Sequence, residues 1–262
     1  MKEEGVQVGV GRYDEARMFY RAPLYASGPH PTDEFRTVHL GLDLFAEPGT
    51  GVYAPLEGTV HAFANNANRL DYGPVIILRH ATDDGLTFFT LYGHLGVDSL
   101  APLAVGQRIE RGQRIGTIGE MTINGEWPPH LHIQIITDLL ERGTDFPGVA
   151  FASQCEVWKS LSPDPNVMVQ ILEKRFPKVA LSKAETLALR RAHIGGNLSI
   201  SYRKPLKIVR GWRQYLYDET GRAFLDVFNN VPLVGHSHPR VARAARRQMA
   251  LLNTNTRYLH DN

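Results

Sequence analysis

The sequence predicts a mainly β fold, an antiparallel β-sheet or sandwich domain, followed by a mixed α/β segment. From residue 38 to about residue 136, short runs alternate apolar with polar or small residues, and turns that contain Gly or Pro separate them, a pattern typical of half-buried strands. The pattern changes near residue 153, where a turn-rich stretch at residues 160–166 precedes helical periodicity. We therefore expect two unlike modules in one chain.

The clearest element of the β part is a hairpin. Residues 75–78 and 87–92 have the apolar and aromatic composition of strands, and an Asp-Asp-Gly sequence at residues 83–85 lies between them. Such a sequence is typical of a tight turn, so the two strands are expected to be antiparallel. Residues 7–35 have mixed character and are interpreted as lead-in strands plus a loop.

The second part contains two predicted helices and a second hairpin. Residues 183–193 are good helix formers, with Ser182 as N-cap, Glu185 as its capping-box partner and two glycines at 195–196 to end the helix. Residues 215–226 predict a hairpin whose turn lies at 219–221. Residues 239–252 predict a helix that begins at a proline.

Composition limits the classes of partner. Lys plus Arg number 29 and Asp plus Glu 27, a formal charge of +2 that gives no reason to expect nucleic acid or an anionic membrane. No apolar run approaches the roughly 20 residues needed to span a bilayer. Cys155 is the single cysteine, which excludes an intramolecular disulfide and disfavours a cysteine metal site. Residues 1–5 lack the apolar stretch of a secretory signal, so a chain complete at this end is expected to be cytoplasmic.

The first cluster with metal-ligand character is the sequence Val-His-Leu-Gly-Leu-Asp-Leu at residues 38–44. Apolar residues alternate there, so His39, Gly41 and Asp43 would share one face of a strand. Gly41 would leave space between the two polar side chains for a metal ion. A solvent-exposed polar face explains the same pattern, and for this cluster alone that explanation is at least as good.

The second cluster repeats the alternation. His130, His132 and Gln134 would share one strand face, while the apolar residues between them face the core. Two such clusters in one β domain favour a metal site over two exposed polar faces. A catalytic zinc site needs three nitrogen or oxygen ligands and an open position for water, so one of the two histidines would ligate and the other stay free.

Around these clusters the sequence resembles the lysostaphin-type (LytM-type) zinc metallopeptidases. Five motifs occur in the order that the family shows, at residues 39–43, 52–60, 92–95, 105–116 and 130–132. The resemblance extends over roughly residues 36–136 and implies an antiparallel β metallopeptidase domain. The loop before the last motif, residues 119–129, is bulkier than the family's Gly/Ser/Thr-rich approach, so we expect an altered substrate wall.

The family resemblance also implies roles for individual residues. His39, Asp43 and His132 would bind Zn²⁺, and His94 and His130 would flank the open position as catalytic residues. His94 enters through the resemblance alone. The implied reaction is hydrolysis of a peptide or amide bond, as in a peptidoglycan endopeptidase, with one of the two free histidines as general base or as the group that orients the water.

The remaining histidines receive no metal-binding role. His30, His61 and His80 are interpreted as surface or hydrogen-bonded structural histidines. His236 and His238 form a second His-x-His sequence, but a proline at 239 opens a helix directly after them. A turn or capping role is therefore the better interpretation of this pair.

Residues 183–262 resemble the first segment of class-III pyridoxal-phosphate aminotransferases, in the branch that includes phosphoethanolamine phospho-lyases. The matching stretches are residues 205–211, 215–218, 224–230, 235–239 and 252–260. The resemblance implies that the cofactor lysine lies far downstream, in a domain that this chain lacks, so Lys204 and Lys207 have no claim to the role. Pyridoxal phosphate and a dimer interface would then belong to a longer parent, a phosphotransferase–peptidase–aminotransferase fusion.

Together these observations divide the chain into four stretches. We expect a lead-in segment at 1–35 packed on the peptidase domain, a metallopeptidase domain at 36–152, a linker at 153–182 and an incomplete aminotransferase domain at 183–262. The predicted function is zinc-dependent cleavage of a peptide or amide bond within a multifunctional protein. The alternative is a fragment of an aminotransferase or phospho-lyase in which the peptidase-like domain binds or regulates.

Overall fold

The computed structural model describes residues 8–17, 19–20, 22–29, 33–177, 181–227 and 233–251. The chain divides into two compact units, the first made of Met1–Tyr20 and Arg36–Ala180 and the second of Arg21–Phe35 and Leu181–Asn262. None of the helices within the described ranges has the length and apolar character needed to cross a membrane.

The first unit is built mainly of antiparallel strands. They are β1 Gly9–Gly11, β2 Arg36–His39, β3 Leu42–Phe45, β4 Gly51–Tyr53, β5 Gly58–Asn66, β6 Gly73–Ala81, β7 Thr87–Gly93, β8 Arg108–Ile109, β9 Arg114–Thr117, β10 His130–Ile136 and β11 Val149–Phe151. Among the described residues, seven of these strands form one sheet in the order β1-β3-β10-β7-β6-β5-β8. Strands β2 and β11 pair separately, as do β4 and β9. The predicted mainly β, antiparallel fold is confirmed.

The predicted hairpin of β6 and β7 is present with the expected antiparallel register. Its apolar run is continuous because both faces of β6 are covered. Ile76 and Leu78 pack into one hydrophobic cluster, while Val75 and Ile77 pack into a second cluster on the opposite face. Since side chains alternate across a strand, a strand between two cores needs apolar residues at every position.

The structure corrects the interpretation of residues 38–44 as one strand. Strand β2 ends at His39 and pairs with β11, whereas β3 begins at Leu42 and pairs with β1 and β10. The break lies at Leu40 and Gly41, where the backbone N–H of Leu40 donates to the carbonyl of Gly148. The chain thus changes pairing partner between the two predicted ligands of this cluster.

The stretch interpreted as a linker is packed on the first unit. It forms helices α1 Cys155–Leu161 and α2 Asn166–Val169. Trp158 and Leu161 pack against one core cluster, and Met168 packs against the other. These apolar side chains explain why residues 153–177 lie on the sheet and do not extend between modules.

The second unit contains α3 Lys183–His193, β12 Ile208–Trp212, β13 Tyr215–Asp218, β14 Ala223–Leu225 and α4 Pro239–Leu251. The predicted capping box is confirmed, because the backbone N–H of Glu185 donates to Ser182 Oγ and the backbone N–H of Ser182 donates to Glu185 Oε2. Helix α3 ends before the two glycines, because Ile194 already takes an extended conformation. The predicted hairpin is present as β13 and β14, and β12 adds a third antiparallel strand.

Several sequence assignments fall outside the described residues. They concern His30, Leu252 at the predicted end of α4, and the parts of the aminotransferase-like motifs at residues 228–230 and 252–260. The lead-in of residues 1–35 is divided, because β1 pairs with β3 in the first unit whereas Arg21–Phe35 belongs to the second. Within that second stretch, Ala26 and Phe35 form a short antiparallel bridge.

Ser162 joins the α1 region to the main sheet and generates a stability prediction. Its Oγ donates to the carbonyl of Ile135 at 2.7 Å and accepts from Gln134 Nε2 at 2.8 Å, in a fully buried position. Ser162→Ala would leave buried polar groups unpaired, so we expect the free energy of unfolding to fall by about 1–3 kcal/mol. Urea denaturation measures this, with the exposed Ser160→Ala as the matched control. Equal losses in the two variants would contradict the assigned contacts.

Candidate metal centre

Three donor atoms meet inside the first unit. His39 Nε2 lies 3.0 Å from His132 Nδ1 and 3.2 Å from Asp43 Oδ1, and His132 Nδ1 lies 3.1 Å from the same carboxylate oxygen. All three side chains are buried. Within the described part of the chain, His39, Asp43 and His132 form the group of residues that fits a metal ion. These are the residues that the sequence analysis assigns as ligands.

Strand pairing explains why two of these side chains meet. In the antiparallel pair β3–β10, His132 stands opposite Asp43, and directly opposed residues have side chains within reach of each other. His39 reaches the same point from the end of β2, where its backbone N–H donates to the carbonyl of Glu15. The convergence therefore depends on two separate strand pairings.

Backbone carbonyls determine which ring nitrogen carries the hydrogen in three of the histidines. The Nδ1 atom of His39 lies 2.8 Å from the carbonyl of Arg12, that of His94 lies 2.9 Å from the carbonyl of Asn124, and that of His130 lies 2.6 Å from the carbonyl of Pro128. A carbonyl oxygen only accepts, so each Nδ1 must carry the hydrogen. Each of these rings, when neutral, then has its lone pair on Nε2.

His132 is held in the opposite tautomer. Gln134 Nε2 donates to the carbonyl of Pro147 at 3.1 Å and to Ser162 Oγ at 2.8 Å, which fixes the orientation of the amide. Gln134 Oε1 then faces His132 Nε2 at 3.0 Å and must accept its hydrogen. In the neutral ring, the lone pair of His132 is then on Nδ1, the atom that faces His39 and Asp43.

Three electron pairs thus point at one another without a hydrogen between them. Such an arrangement is repulsive unless a cation lies among the donors. The donor–donor distances of 3.0–3.2 Å match the edge of a tetrahedron around zinc, about 3.3 Å for metal–ligand bonds near 2 Å. Two imidazole nitrogens and one carboxylate oxygen also form a common ligand set for that metal. The residues present fit zinc.

Asp43 is buried but charged. Burial alone would raise its pKa, yet the polar groups around it, His39 first among them, hold the pKa of this carboxyl well below its usual value. Its second oxygen, Oδ2, accepts from Arg17 Nη1 at 2.5 Å. Burial lowers the pKa of Arg17, whereas the neighbouring carboxylate of Asp43 raises it. The net effect is a raised pKa, so the guanidinium is charged.

His94 and His130, the predicted catalytic pair, lie beside the three donors. Their rings are 4.4 Å apart, and His130 Nε2 is 3.7 Å from Asp43 Oδ1. Burial lowers the pKa of both imidazoles, that of His94 well below its usual range, so both are neutral at neutral pH. His94 follows β7 with a φ of 62°, an uncommon left-handed conformation for a non-glycine residue that often marks a functional position.

Aromatic side chains surround the histidines. Phe45 stacks on the His130 ring at 4.9 Å, and Trp127 meets the His94 ring edge-on at 6.2 Å. Phe19 and Tyr20 pack against Trp127 at 5.9 and 5.6 Å. The loop that precedes His130 therefore places a large ring beside the site, as its bulky sequence predicts.

Gly41 has a different role from the one predicted. A Cβ atom there would lie 2.5 Å from His132 Cε1 and 2.8 Å from the carbonyl oxygen of Ile133. The glycine therefore makes room for the His132 ring and does not leave space for a metal ion. Strand β10 is buried along its whole length, which contradicts the alternative explanation of an exposed polar face.

Several histidines lie apart from the centre. His80 is buried and hydrogen-bonded to the carbonyl of Glu57 and to Thr90 Oγ1, as expected for a structural histidine. His236 Nε2 pairs with Asp226 Oδ2 at 2.8 Å, a partner that the sequence analysis does not identify. His238 precedes α4 and, like His61, lies outside the group of converging donors.

Sequence reasoning missed Arg17, Ser162 and Asn124, which hold the site residues in place. Arg17 lies 26 positions from Asp43, and Ser162 lies 28 positions from Gln134. No periodic pattern connects residues that far apart. For Gln134 a signal existed, since it occupies the same strand face as His130 and His132.

The fold and the donor set define the first unit as an antiparallel β domain with a candidate metal site. Residues 37–143 match the Peptidase family M23. An uncharacterized metalloprotease of Haemophilus influenzae is 32% identical over 135 residues, which cover 50% of this chain and 26% of that protein. Residues 37–143 of this chain are thus similar to the M23, lysostaphin-type peptidase family.

Two further comparisons extend over different parts of the chain. An alanine–glyoxylate aminotransferase 2-like protein of Drosophila melanogaster is 56% identical over 82 residues, covering 31% of this chain and 17% of that protein. The similarity to class-III aminotransferases is therefore partial, and the chain spans less than a fifth of this relative's length. The catalytic domain of lysostaphin from Staphylococcus simulans is 22% identical, with 63% of this chain and 93% of that chain covered and a TM-score of 0.39.

The close approach at Gly41 predicts a loss of metal binding in Gly41→Ala. The added methyl group would displace the His132 ring or the β10 backbone, and overpacking of this kind costs about 1–3 kcal/mol. We expect the dissociation constant for zinc to rise by about tenfold, measured by competition with a chromophoric chelator. Gly196→Ala, which meets no atom within 4 Å, is the control. Unchanged zinc affinity in Gly41→Ala would contradict the packing.

The buried histidines predict a pH dependence for the metal-free protein. Burial lowers the pKa of His39 to about 4 from 6.5, and lowers those of His94, His130 and His80 in the same direction. Below about pH 6.5 the unfolded chain therefore binds more protons than the folded one. The free energy of unfolding must then decrease as the pH is lowered. His39 alone contributes about 3 kcal/mol between pH 6.5 and 4.

Urea unfolding of metal-free protein at a series of pH values measures this dependence. The midpoint is expected to be highest above pH 6.5 and to fall steadily towards pH 4. His80→Gln should remove part of the slope, because one depressed histidine is lost. A midpoint that rises or stays constant on acidification would show that these histidines are not held neutral.

Proposed function

We propose that the first unit is a zinc-dependent hydrolase that cleaves a peptide or amide bond. One observation carries the proposal, the convergence of the lone pairs of His39 Nε2, Asp43 Oδ1 and His132 Nδ1 at 3.0–3.2 Å in a buried position. Three nitrogen or oxygen ligands with a fourth position for water are typical of catalytic zinc, whereas structural zinc sites are closed by four protein ligands. The match of residues 37–143 to a peptidase family supports the same reaction class.

The residues beside the donors supply proton transfer. Zinc held there would polarise the scissile carbonyl and make its bound water acidic. His94 and His130 present unprotonated Nε2 atoms, because their Nδ1 hydrogens are donated to carbonyls. Either ring is placed to accept the proton of the attacking water and to return it to the leaving amine. Carbonyl contacts fix both rings, so neither must reorient during the reaction.

Two features support the proposed substrate class, the family match and the residues of the site wall. A peptide or amide is the expected substrate, and the metalloprotease description of the Haemophilus influenzae relative agrees with it. Trp127 and Phe45 place large rings beside the catalytic pair. These rings favour substrates with a bulky apolar group next to the scissile bond over substrates made of glycine alone.

The second unit supports a further proposal about the whole protein. The 56% identity of 82 residues of this chain to part of an aminotransferase 2-like protein favours a multifunctional parent in which pyridoxal phosphate and a dimer interface lie outside this chain. The peptidase-like unit would then act as an enzyme or as a binding module of that parent. We also propose a cytoplasmic location and no nucleic-acid or membrane partner, and the formal charge of +2 supports only the part about partners.

Zinc content and hydrolysis distinguish the proposed roles. We expect stoichiometric zinc in the purified protein by mass spectrometry of the metal, and release of new amines from a mixed peptide library. His39→Ala should lose both zinc and activity. His94→Ala and His130→Ala should keep zinc and lose activity by about 10²–10⁴-fold, as when a general base or acid is removed.

His61→Ala is the matched control, because this exposed histidine contacts Phe89 and lies apart from the donors. A wild-type protein that never acquires zinc would sink the proposal. A protein that binds zinc but cleaves none of the library peptides would favour the binding-module alternative.

A further inference from the structure

A buried, positively charged side chain, that of Arg17, lies in the candidate metal centre. Arg17 Nη1 lies 2.5 Å from Asp43 Oδ2, and the two side chains are only 7% and 2% exposed. Arg17 lies in the lead-in, twenty positions before the start of the match to the peptidase family at residue 37. The family comparison therefore gives this residue no role.

The two oxygens of Asp43 have different partners. Oδ1 faces His39 and His132, whereas Oδ2 faces Arg17. The guanidinium is held by two further groups, since its Nε donates to Glu15 Oε2 at 3.0 Å and Nη1 is 3.5 Å from Tyr20 Oη. Arg17 thus fixes the carboxylate so that one oxygen alone is available to the converging imidazoles.

The surrounding backbone accommodates this arrangement. A Cβ atom at Gly11 would lie 2.5 Å from Arg17 Nη2 and 3.2 Å from Asp43 Cβ. Strand β1 brings this glycine opposite Asp43. The lead-in therefore contributes both the cation and the space that the cation occupies.

The charge of Arg17 has opposite effects on the metal-free and the metal-bound site. In the metal-free protein, a buried carboxylate without a partner is strongly unfavourable, and Arg17 supplies that partner. With a metal ion on Oδ1, two cations share one carboxylate and repel each other across a short distance. The guanidinium therefore stabilises the metal-free site more than the metal-bound one.

We propose that Arg17 is the resident counter-charge of Asp43, a positioning residue that keeps the metal-free centre assembled and weakens its hold on the metal. This inference rests on the proposed function, because it takes His39, Asp43 and His132 as a zinc site. The consequence is a preformed centre that accepts and releases zinc without rearranging.

A thermodynamic cycle tests the proposal. Melting temperatures of Arg17→Met, Arg17→Lys and wild type are measured without metal and with saturating zinc chloride, and zinc dissociation constants are measured by chelator competition. Arg17→Met removes the charge but keeps side-chain bulk, whereas Arg17→Lys keeps the charge. Arg108→Met is the control, because Arg108 forms an exposed pair with Glu57.

Arg17→Met is expected to bind zinc about tenfold more tightly than wild type, since a nearby positive charge is removed. Its zinc-induced rise in melting temperature should exceed that of wild type by about 3–6 °C, because the lost stability is concentrated in the metal-free form. Arg17→Lys should bind zinc within about threefold of wild type. Arg108→Met should match wild type in both measurements.

Unchanged or weaker zinc binding by Arg17→Met would overturn the proposal, as would equal losses of stability with and without zinc. If metal-free Arg17→Met does not fold, refolding on addition of zinc supports the proposal and failure to refold contradicts it. The absorption spectrum of the Co²⁺-substituted variant is a further readout, and a tetrahedral spectrum is expected. A wild type that binds no zinc would instead refute the proposed function, so the two failures are distinguishable.

Discussion

The convergence of unprotonated donors on Asp43 Oδ1 is the constraint on which the rest of the first unit depends. Each of the two imidazoles must be neutral, buried and in a specific tautomer, and His39 and His132 need opposite ones. A buried centre of this kind is stable only if every remaining polar atom has a partner. The surrounding hydrogen bonds are therefore part of the site.

Those hydrogen bonds come from distant parts of the chain. The lead-in provides the carbonyl of Arg12 and the guanidinium of Arg17, and the α1 region provides Ser162. Ligand orientation by such outer partners is general in metal sites. Here the partners come from stretches that flank the M23 match at residues 37–143, so the unit that forms the candidate centre extends beyond the matched residues.

The sequence predicts the donor residues because local alternation and spacing carry that information. Asp43 and His132 lie on β-strands with the expected facing, and the hairpin and the capping box follow from turn and cap chemistry. The break between β2 and β3 was not predictable in this way, since alternation continues through Gly41. Arg17 and Ser162 act across long separations, where periodicity is uninformative. The roles of these two residues become visible only when the pairing of the strands in three dimensions is known.

The central claim is that neutral imidazoles present their lone pairs to one point, and long-range ¹H–¹⁵N spectra of the metal-free protein at neutral pH test it most directly. Such spectra report which ring nitrogen of each histidine carries the hydrogen. The account predicts the Nδ1–H tautomer for His39, His94 and His130 and the Nε2–H tautomer for His132. A spectrum in which His132 carries its hydrogen on Nδ1 would contradict the account, because that atom would then be unable to bind a metal.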